Sequence, residues 1–211
     1  MIRAIIFDWG GVIMRTVDPA PRLAWDARLG LAPGSVNRLV FESSEWRRAQ
    51  LGQVGEDVVW TNLGARLNLS PEALVELRHD FWAGDRLDGN LVTLIRHIRP
   101  RFKIALLSNF PASLRELLAQ LGLTDAFDAI VISGEEGILK PDVHIYQLAA
   151  RRLGALINEC LFIDDFVENV EGARAAGMEA LHFASPATAM AGLRRRIASR
   201  DEGQLRRTQD P

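Results

Sequence analysis

The sequence predicts an α/β protein: a doubly wound, Rossmann-like parallel sheet of five strands with an all-helical segment inserted after the first strand. Three observations predict it. Short, wholly apolar runs alternate with segments of helical periodicity, the pattern of strands buried on both faces of a parallel sheet. Each run closes on small or acidic polar residues, and in such sheets the residues beyond the carboxyl ends of the strands share one edge. Between residues 16 and 85 the alternation stops and only helical patterns remain.

The first strand is read at residues 4–7, closed by Asp8, with Gly10-Gly11 following as a sharp turn that brings backbone close to a ligand. In the insert, Leu23, Trp25 and Leu29, then Leu39, Val40 and Trp46, fall at helical spacing. Ser70-Pro71-Glu72 reads as a helix start: a hydroxyl at the cap, proline at the first position and an acid in the first turn. The second strand is read at residues 102–107, closed by Ser108-Asn109. Pro111 is placed in the first turn of the next helix, whose leucines at 114, 117, 118 and 121 end at Gly122. Residues 129–132 form the third strand, closed by Ser133-Gly134. Pro141 opens a helix through Tyr146, Ala149 and Leu153 to Gly154. Residues 160–163 form the fourth strand, closed by Asp164-Asp165, and a helix from Asn169 ends at Gly177. Residues 179–183 are a weaker fifth strand. A helix starts after Ser185, and the charged stretch 201–211 is expected to fray. The expected division is an α/β core of residues 1–15 and 86–211 and a helical cap of residues 16–85. The cap is large enough for a small subdomain and enters the chain where a lid over the carboxyl edge would sit.

Composition narrows the function. Hydrophobic residues make up 48% of the 211 and charged residues 25%, the balance of an ordinary globular chain. A net charge of −2 gives no basic field to recruit nucleic acid, and Arg194-Arg195-Arg196 reads as a solvated helix face. The single cysteine, Cys160, excludes an internal disulfide framework and a multi-cysteine metal cluster. No apolar run approaches the ~20 residues of a membrane span, and the short apolar start before Asp8 does not make a signal peptide. The expectation is a soluble cytoplasmic protein, monomer or homodimer. Of 25 basic residues only Lys103 and Lys140 are lysine, so a lysine in this chain is informative.

The strand ends bring Asp8, Ser108, Asn109, Asp164 and Asp165 toward one edge from remote parts of the chain. Three neighbouring carboxylates repel unless a cation lies among them. An oxygen-only set with room for water suits Mg²⁺. Ser108, the Asn109 backbone and Lys140 offer donors to an anion, and carboxylates, Mg²⁺ and a lysine together suit a phosphate.

At these residues the chain resembles the haloacid dehalogenase superfamily, in the branch with a helical cap. The matching motifs are Phe7-Asp8-Trp9-Gly10-Gly11-Val12-Ile13, Leu106-Leu107-Ser108-Asn109, Leu139-Lys140-Pro141-Asp142, and Phe162-Ile163-Asp164-Asp165 followed by Asn169. They occur in order, and the resemblance covers residues 1–185. It implies that Asp8 is a nucleophile forming an aspartyl-phosphate. It implies that Asp8, the Gly10 carbonyl and Asp165 hold Mg²⁺, with Asp164 ligating directly or standing behind the ligands. Ser108 and Asn109 would bind phosphoryl oxygens, and Lys140 would neutralise charge on Asp8 and the phosphoryl group. The implied substrate is a small phosphorylated metabolite, with sugar phosphates among the candidates.

One position departs from the resemblance. Phosphatases of the family carry a second Asp two residues after the nucleophile, as general acid and base; this chain has Gly10. Sugar-1-phosphatases of the branch also have glycine there. The alternatives left open are a catalytically weakened binding or regulatory protein and a metal-free dehalogenase. Dehalogenases, however, carry Tyr-Gly-Thr after the nucleophile, unlike Gly10-Gly11-Val12, and the Asp164-Asp165 pair favours a metal. If another residue supplies the proton, Glu42, Glu45, Glu56 and Asp57 are the first candidates. Asn169 is read as orienting the fourth-motif loop. Trp46, Trp60, Phe81 and Trp82 are read as packing before pocket. His79, His97, His144 and His182 show no ligand spacing, and Cys160 reads as a small buried hydrophobe.

Overall fold

A computed structural model describes residues 1–188 and 191–196. Its main sheet holds β1 (Ala4–Phe7), β4 (Lys103–Ser108), β5 (Ala129–Ile132), β6 (Cys160–Asp164) and β7 (Glu179–His182) in the order β5-β4-β1-β6-β7. Every pairing in it is parallel. Strand alternation divides the core between the two faces. Ile5, Phe7, Ile104, Leu106, Leu161 and Ile163 pack toward α6 (Gly89–Ile98) and α7 (Leu114–Gln120). After β5 comes the single turn α8 (Ser133–Glu136). Ala4, Ile6, Ala105, Leu107, Cys160 and Phe162 pack toward α9 (Val143–Leu153) and α10 (Val167–Ala175). Burial on both faces is why these runs carry no polar residue until their ends.

The chain leaves β1 for β4 and β5 on one side and returns to β6 and β7 on the other. The reversal lies between β1 and β6, the crevice where open α/β sheets bind ligands. Asp8 and the Asp164-Asp165 pair flank it.

Helices α1 (Ala20–Arg28), α2 (Ser35–Phe41), α3 (Ser44–Gln50), α4 (Glu56–Arg66) and α5 (Pro71–Ala83) gather around their own apolar cluster of Trp25, Val36, Val40, Trp46, Trp60, Leu77 and Phe81. Ser70 caps α5, accepting from the Ala73 N–H at 3.3 Å.

Three details differ from the sequence expectation. Pro141 does not open a helix: it lies in the turn before Asp142, whose side chain caps α9 at the His144 N–H, and the helix begins at Val143. The margins of the insert are extended: β2 (Met14–Thr16) pairs antiparallel with β3 (Asp85–Leu87) and joins the helical segment to the sheet. Thr16 Oγ1 donates to Asp85 Oδ1 at 2.6 Å, and the buried Arg22 of α1 reaches the same oxygen at 2.9 Å. Pro111 does not open a helix. It lies in the preceding turn, where its carbonyl accepts from Leu114 N–H, and α7 begins at Leu114. Residues 191–196 are helical, whereas the stretch 201–211 lies outside the described residues. Among the described residues no helix is long and apolar enough to cross a membrane.

Candidate active site

Asp8 leaves the end of β1 with its backbone N–H on the Ile163 carbonyl at 2.9 Å, so the sheet itself sets its position. Its buried carboxylate faces Lys140, whose Nζ stands 2.8 Å from Asp8 Oδ1 and 2.6 Å from Asp164 Oδ2. The same ammonium reaches the Leu107 carbonyl at 3.3 Å. Lys140 arrives on the turn before α9, and a reciprocal clasp holds that turn. Asn109 Nδ2 donates to the Lys140 carbonyl at 2.9 Å, and the Lys140 N–H donates to Asn109 Oδ1 at 2.8 Å. Of the two lysines, Lys103 is exposed and Lys140 lies at the centre of the site.

The paired acids at the end of β6 are chemically distinct. Asp164 is fully buried, and both its oxygens are engaged. Oδ1 accepts from the Phe166 N–H at 2.7 Å and from Asn169 Nδ2 at 3.1 Å. Oδ2 accepts from Lys140 and again from Asn169 at 3.1 Å. Asn169 is anchored in turn by Tyr146, whose hydroxyl donates to the Asn169 carbonyl at 2.8 Å. Asp165 Oδ1, by contrast, is buried with no hydrogen-bond partner. Oxygens of Asp8, Asp164 and Asp165 all lie within 4.8 Å of one another.

One ammonium among three carboxylates leaves excess negative charge, and the acidities follow. Burial pushes the Asp8 carboxyl up to about 7; Asp164 adds to the shift and Lys140 opposes it. Burial and the Asp164 charge raise Asp165 to about 6. Burial alone would lower Lys140, but Asp8 and Asp164 together outweigh it and hold the ammonium charged. The lysine has two anionic partners, whereas each carboxylate shares one cation, so both members of the Lys140–Asp8 pair move upward.

The two glycines after Asp8 differ. Gly11 takes φ +75°, and a Cβ there would lie 2.0 Å from Asp165 Oδ2. Gly10 is exposed, lies outside the left-handed region, and a Cβ added to it would meet nothing within 4 Å. The turn therefore requires glycine at 11 and tolerates a side chain at 10. Gly11→Ala is expected to cost on the order of 1–3 kcal/mol, with Gly10→Ala within about 0.5 kcal/mol of the parent. Urea midpoints of the two variants measure the contrast, and equal midpoints would contradict it.

Ser108 is buried at the end of β4. The Asn109 side chain is occupied by Lys140, which leaves its backbone as the part suited to an anion. The helical segment touches these loops through groups that sequence reading did not single out. Gln50 Nε2 donates to the Asn109 carbonyl at 2.7 Å, and Gly52 lies against the Gly134 carbonyl, where a Cβ would be 2.3 Å away. Nothing in the spacing of Gln50 marks it, because its partner lies 59 residues further along the chain. Glu56 accepts from Trp60 Nε1 at 2.9 Å and from Ser113 Oγ at 2.5 Å, and Glu45 accepts from Ser44. Trp46, Trp60 and Phe81 are buried packing residues, and Trp82 is half-buried.

Comparison with known proteins shows the family of the chain. Residues 2–177 match the family model described as haloacid dehalogenase-like hydrolase. The sesquiterpene phosphatase astK of Aspergillus oryzae is 28% identical over 186 residues, spanning 86% of this chain and 89% of that protein. The fructose-1-phosphate phosphatase YqaB of Escherichia coli is 30% identical over 186 residues, spanning 84% of this chain and 94% of that one. Among solved structures, a haloacid dehalogenase family enzyme of Bacteroides thetaiotaomicron in complex with magnesium and inorganic phosphate superposes with a TM-score of 0.72. It is 15% identical and covers 86% of this chain and 94% of that chain, a likeness of fold.

Proposed function

The chain belongs to the haloacid dehalogenase-like hydrolases, and from that premise we propose that it is a Mg²⁺-dependent phosphatase of small phosphomonoesters acting through a phosphorylated Asp8. The observation that carries this reading is the group of three carboxylates beside one buried ammonium, with Asp165 Oδ1 buried and without a hydrogen-bond partner. Such a group fits a hard divalent cation: Asp8, Asp165 and the Gly10 carbonyl would hold it, and Asp164, its lone pairs already engaged, would position Lys140 and the loop. Bound there, Mg²⁺ would offset the negative charge of the carboxylates and of the phosphoryl oxygens.

Asp8 attacks phosphorus: its carboxylate oxygen forms the new O–P bond as the ester O–P bond breaks, and the alkoxide leaves. Lys140 on Oδ1 fixes the carboxylate's rotation and stabilises charge gathering on the phosphoryl group. Ser108 and the Asn109 backbone hold phosphoryl oxygens. Water then attacks phosphorus, releasing inorganic phosphate and regenerating Asp8. Helices α1–α5 act as a cap, with Gln50 and Glu56 its polar contacts to the strand-end loops. Gly10 brings no acid to the leaving group. That same feature favours the second reading, a binding protein with weakened catalysis. Phosphate release from p-nitrophenyl phosphate with and without Mg²⁺ separates the two: multiple turnovers support the enzyme, and binding without turnover supports the rival.

The raised acids make metal stabilisation depend on pH. The folded chain binds protons at Asp8 and Asp165 more tightly than the unfolded chain, whose carboxyls titrate near their ordinary value. Their contribution favours the fold below that value and is lost as pH rises through about 6 to 7. Mg²⁺ binds the deprotonated set in the native state only, so its gain in Tm is expected to be larger at pH 8 than at pH 5. Asp165→Ala is expected to remove most of that gain. Thermal melts with Mg²⁺ and with chelator at both pH values test this, and an equal gain in wild type and Asp165→Ala would place the metal elsewhere.

A further inference from the structure

The sheet order places the loops after β4 and β6 on either side of Asp8. Both loops present an aromatic residue immediately past the site residues. After Ser108-Asn109 comes Phe110, half-buried, its N–H held by Ser133 Oγ at 3.1 Å. Its ring meets Trp46 edge-on, at 5.3 Å and 86° between planes, and lies 6.1 Å from Trp82. It thus ties the core loop to the aromatic cluster of the cap. After Asp164-Asp165 come Phe166 and Val167, which are 60% and 51% exposed. The Phe166 N–H is bound to Asp164, so the backbone that carries this side chain is fixed beside the carboxylates. Single exposed apolar residues are ordinary. Here two stand in succession beside the Asp164-Asp165 carboxylates: Phe166 at the N-cap of α10 and Val167 as its first residue.

Between the two loops lies Gly10, exposed and with open space where a side chain would stand. A phosphorylated sugar in this space would need several free polar groups to meet its hydroxyls. Two of the polar side chains that the cap brings to these loops are already engaged: Gln50 by the Asn109 carbonyl, and Glu56 by Trp60 and Ser113. An apolar group needs no such partners and gains from the exposed Phe166 and Val167 and from the half-buried rings of Phe110 and Trp82.

We propose that the organic part of the substrate is apolar, an alkyl, prenyl or aryl group that lies over Gly10 and is covered by Phe166 and Val167 on one side and Phe110 with the cap aromatics on the other. This rests on the phosphatase reading and specifies the substrate class of that site.

The test uses three aryl phosphates with similar leaving groups: phenyl phosphate, 4-hexylphenyl phosphate and 4-(glucosyloxy)phenyl phosphate. Phenyl phosphate reports whether the chain is a phosphatase at all, and the other two report what it accepts beyond the ring. The expected result is a kcat/KM for the hexyl compound at least about tenfold above that for the glucosyl compound. Phe166→Ser is expected to lower that ratio at least threefold; a ratio within one preparation is independent of how much of the variant is folded. Hydrolysis of phenyl phosphate with a hexyl-to-glucosyl ratio at or below one would overturn the substrate class and leave the phosphatase reading standing. A preference unchanged in both Phe166→Ser and the Phe166→Ser, Val167→Ser double variant would overturn the placement of the apolar group. Absence of hydrolysis of all three would overturn the phosphatase reading and this inference with it.

Discussion

Asp8→Asn is expected to lower phosphate release by a factor on the order of 10⁴ to 10⁶ while leaving the fold in place. The amide is nearly isosteric with the carboxylate but a poor nucleophile, and the Asp8 N–H that anchors the residue to Ile163 is unaffected. The loss is expected in kcat, because in the proposed mechanism Lys140, Ser108 and the Asn109 backbone would still meet the phosphoryl group. Folding is not expected to suffer. Lys140 keeps its 2.6 Å pairing with Asp164, and the variant removes one of three mutually repelling carboxylates. Steady-state kinetics alongside thermal melts check this, and a folded variant with undiminished turnover would remove Asp8 from its assigned role.

The second large effect concerns the proton that Gly10 cannot donate. A positioned general acid contributes about 10² to 10⁴-fold. Without one, kcat/KM is expected to fall steeply as the leaving group becomes more basic, so aryl and acyl phosphates outrun alkyl phosphates. Gly10→Asp is expected to recover part of that factor on alkyl phosphates and little on aryl ones. The backbone there accepts a side chain: its φ is not left-handed and the space is open, unlike at Gly11. A series of phosphate esters of similar shape and graded leaving-group pKa, run on wild type and Gly10→Asp, measures both slopes. A flat wild-type slope with chemistry rate-limiting would mean that another residue protonates the leaving group. Glu56 is poorly placed for that, since Trp60 and Ser113 already bind its carboxylate.

The five-stranded sheet was legible because burial on both faces demands unbroken apolar runs, and the crevice needs polar residues where those runs stop. Residues 4–7, 129–132 and 160–163 show both signals. The β2–β3 ribbon was not legible: Met14-Arg15-Thr16 and Asp85-Arg86-Leu87 are three residues each, half-exposed and without an apolar pattern. Pro111 carried a signal that suits two local structures, a turn or a first helical position, and tertiary packing of the loop against Ser133 chose the turn. The convergence of Asp8, Lys140, Asp164 and Asp165 could be anticipated from strand ends and motif order. The contrast between Asp164 and Asp165 could not. It depends on which acid meets Asn169, Lys140 and the Phe166 N–H, contacts set only once β6 and α10 are packed. Gln50 and Phe166 were invisible for the same reason, since their meaning comes from what lies opposite them in space.

The most direct measurement of the central claim is chemical trapping of the intermediate. Wild-type chain is mixed with Mg²⁺ and an aryl phosphate, quenched in acid during turnover, reduced with borohydride and mapped by peptide mass spectrometry. An acyl phosphate on Asp8 is reduced to homoserine, so the expected result is homoserine at position 8, dependent on substrate and absent from Asp8→Asn. Steady turnover with an unmodified Asp8, or with the reduced residue at another acid, would contradict it.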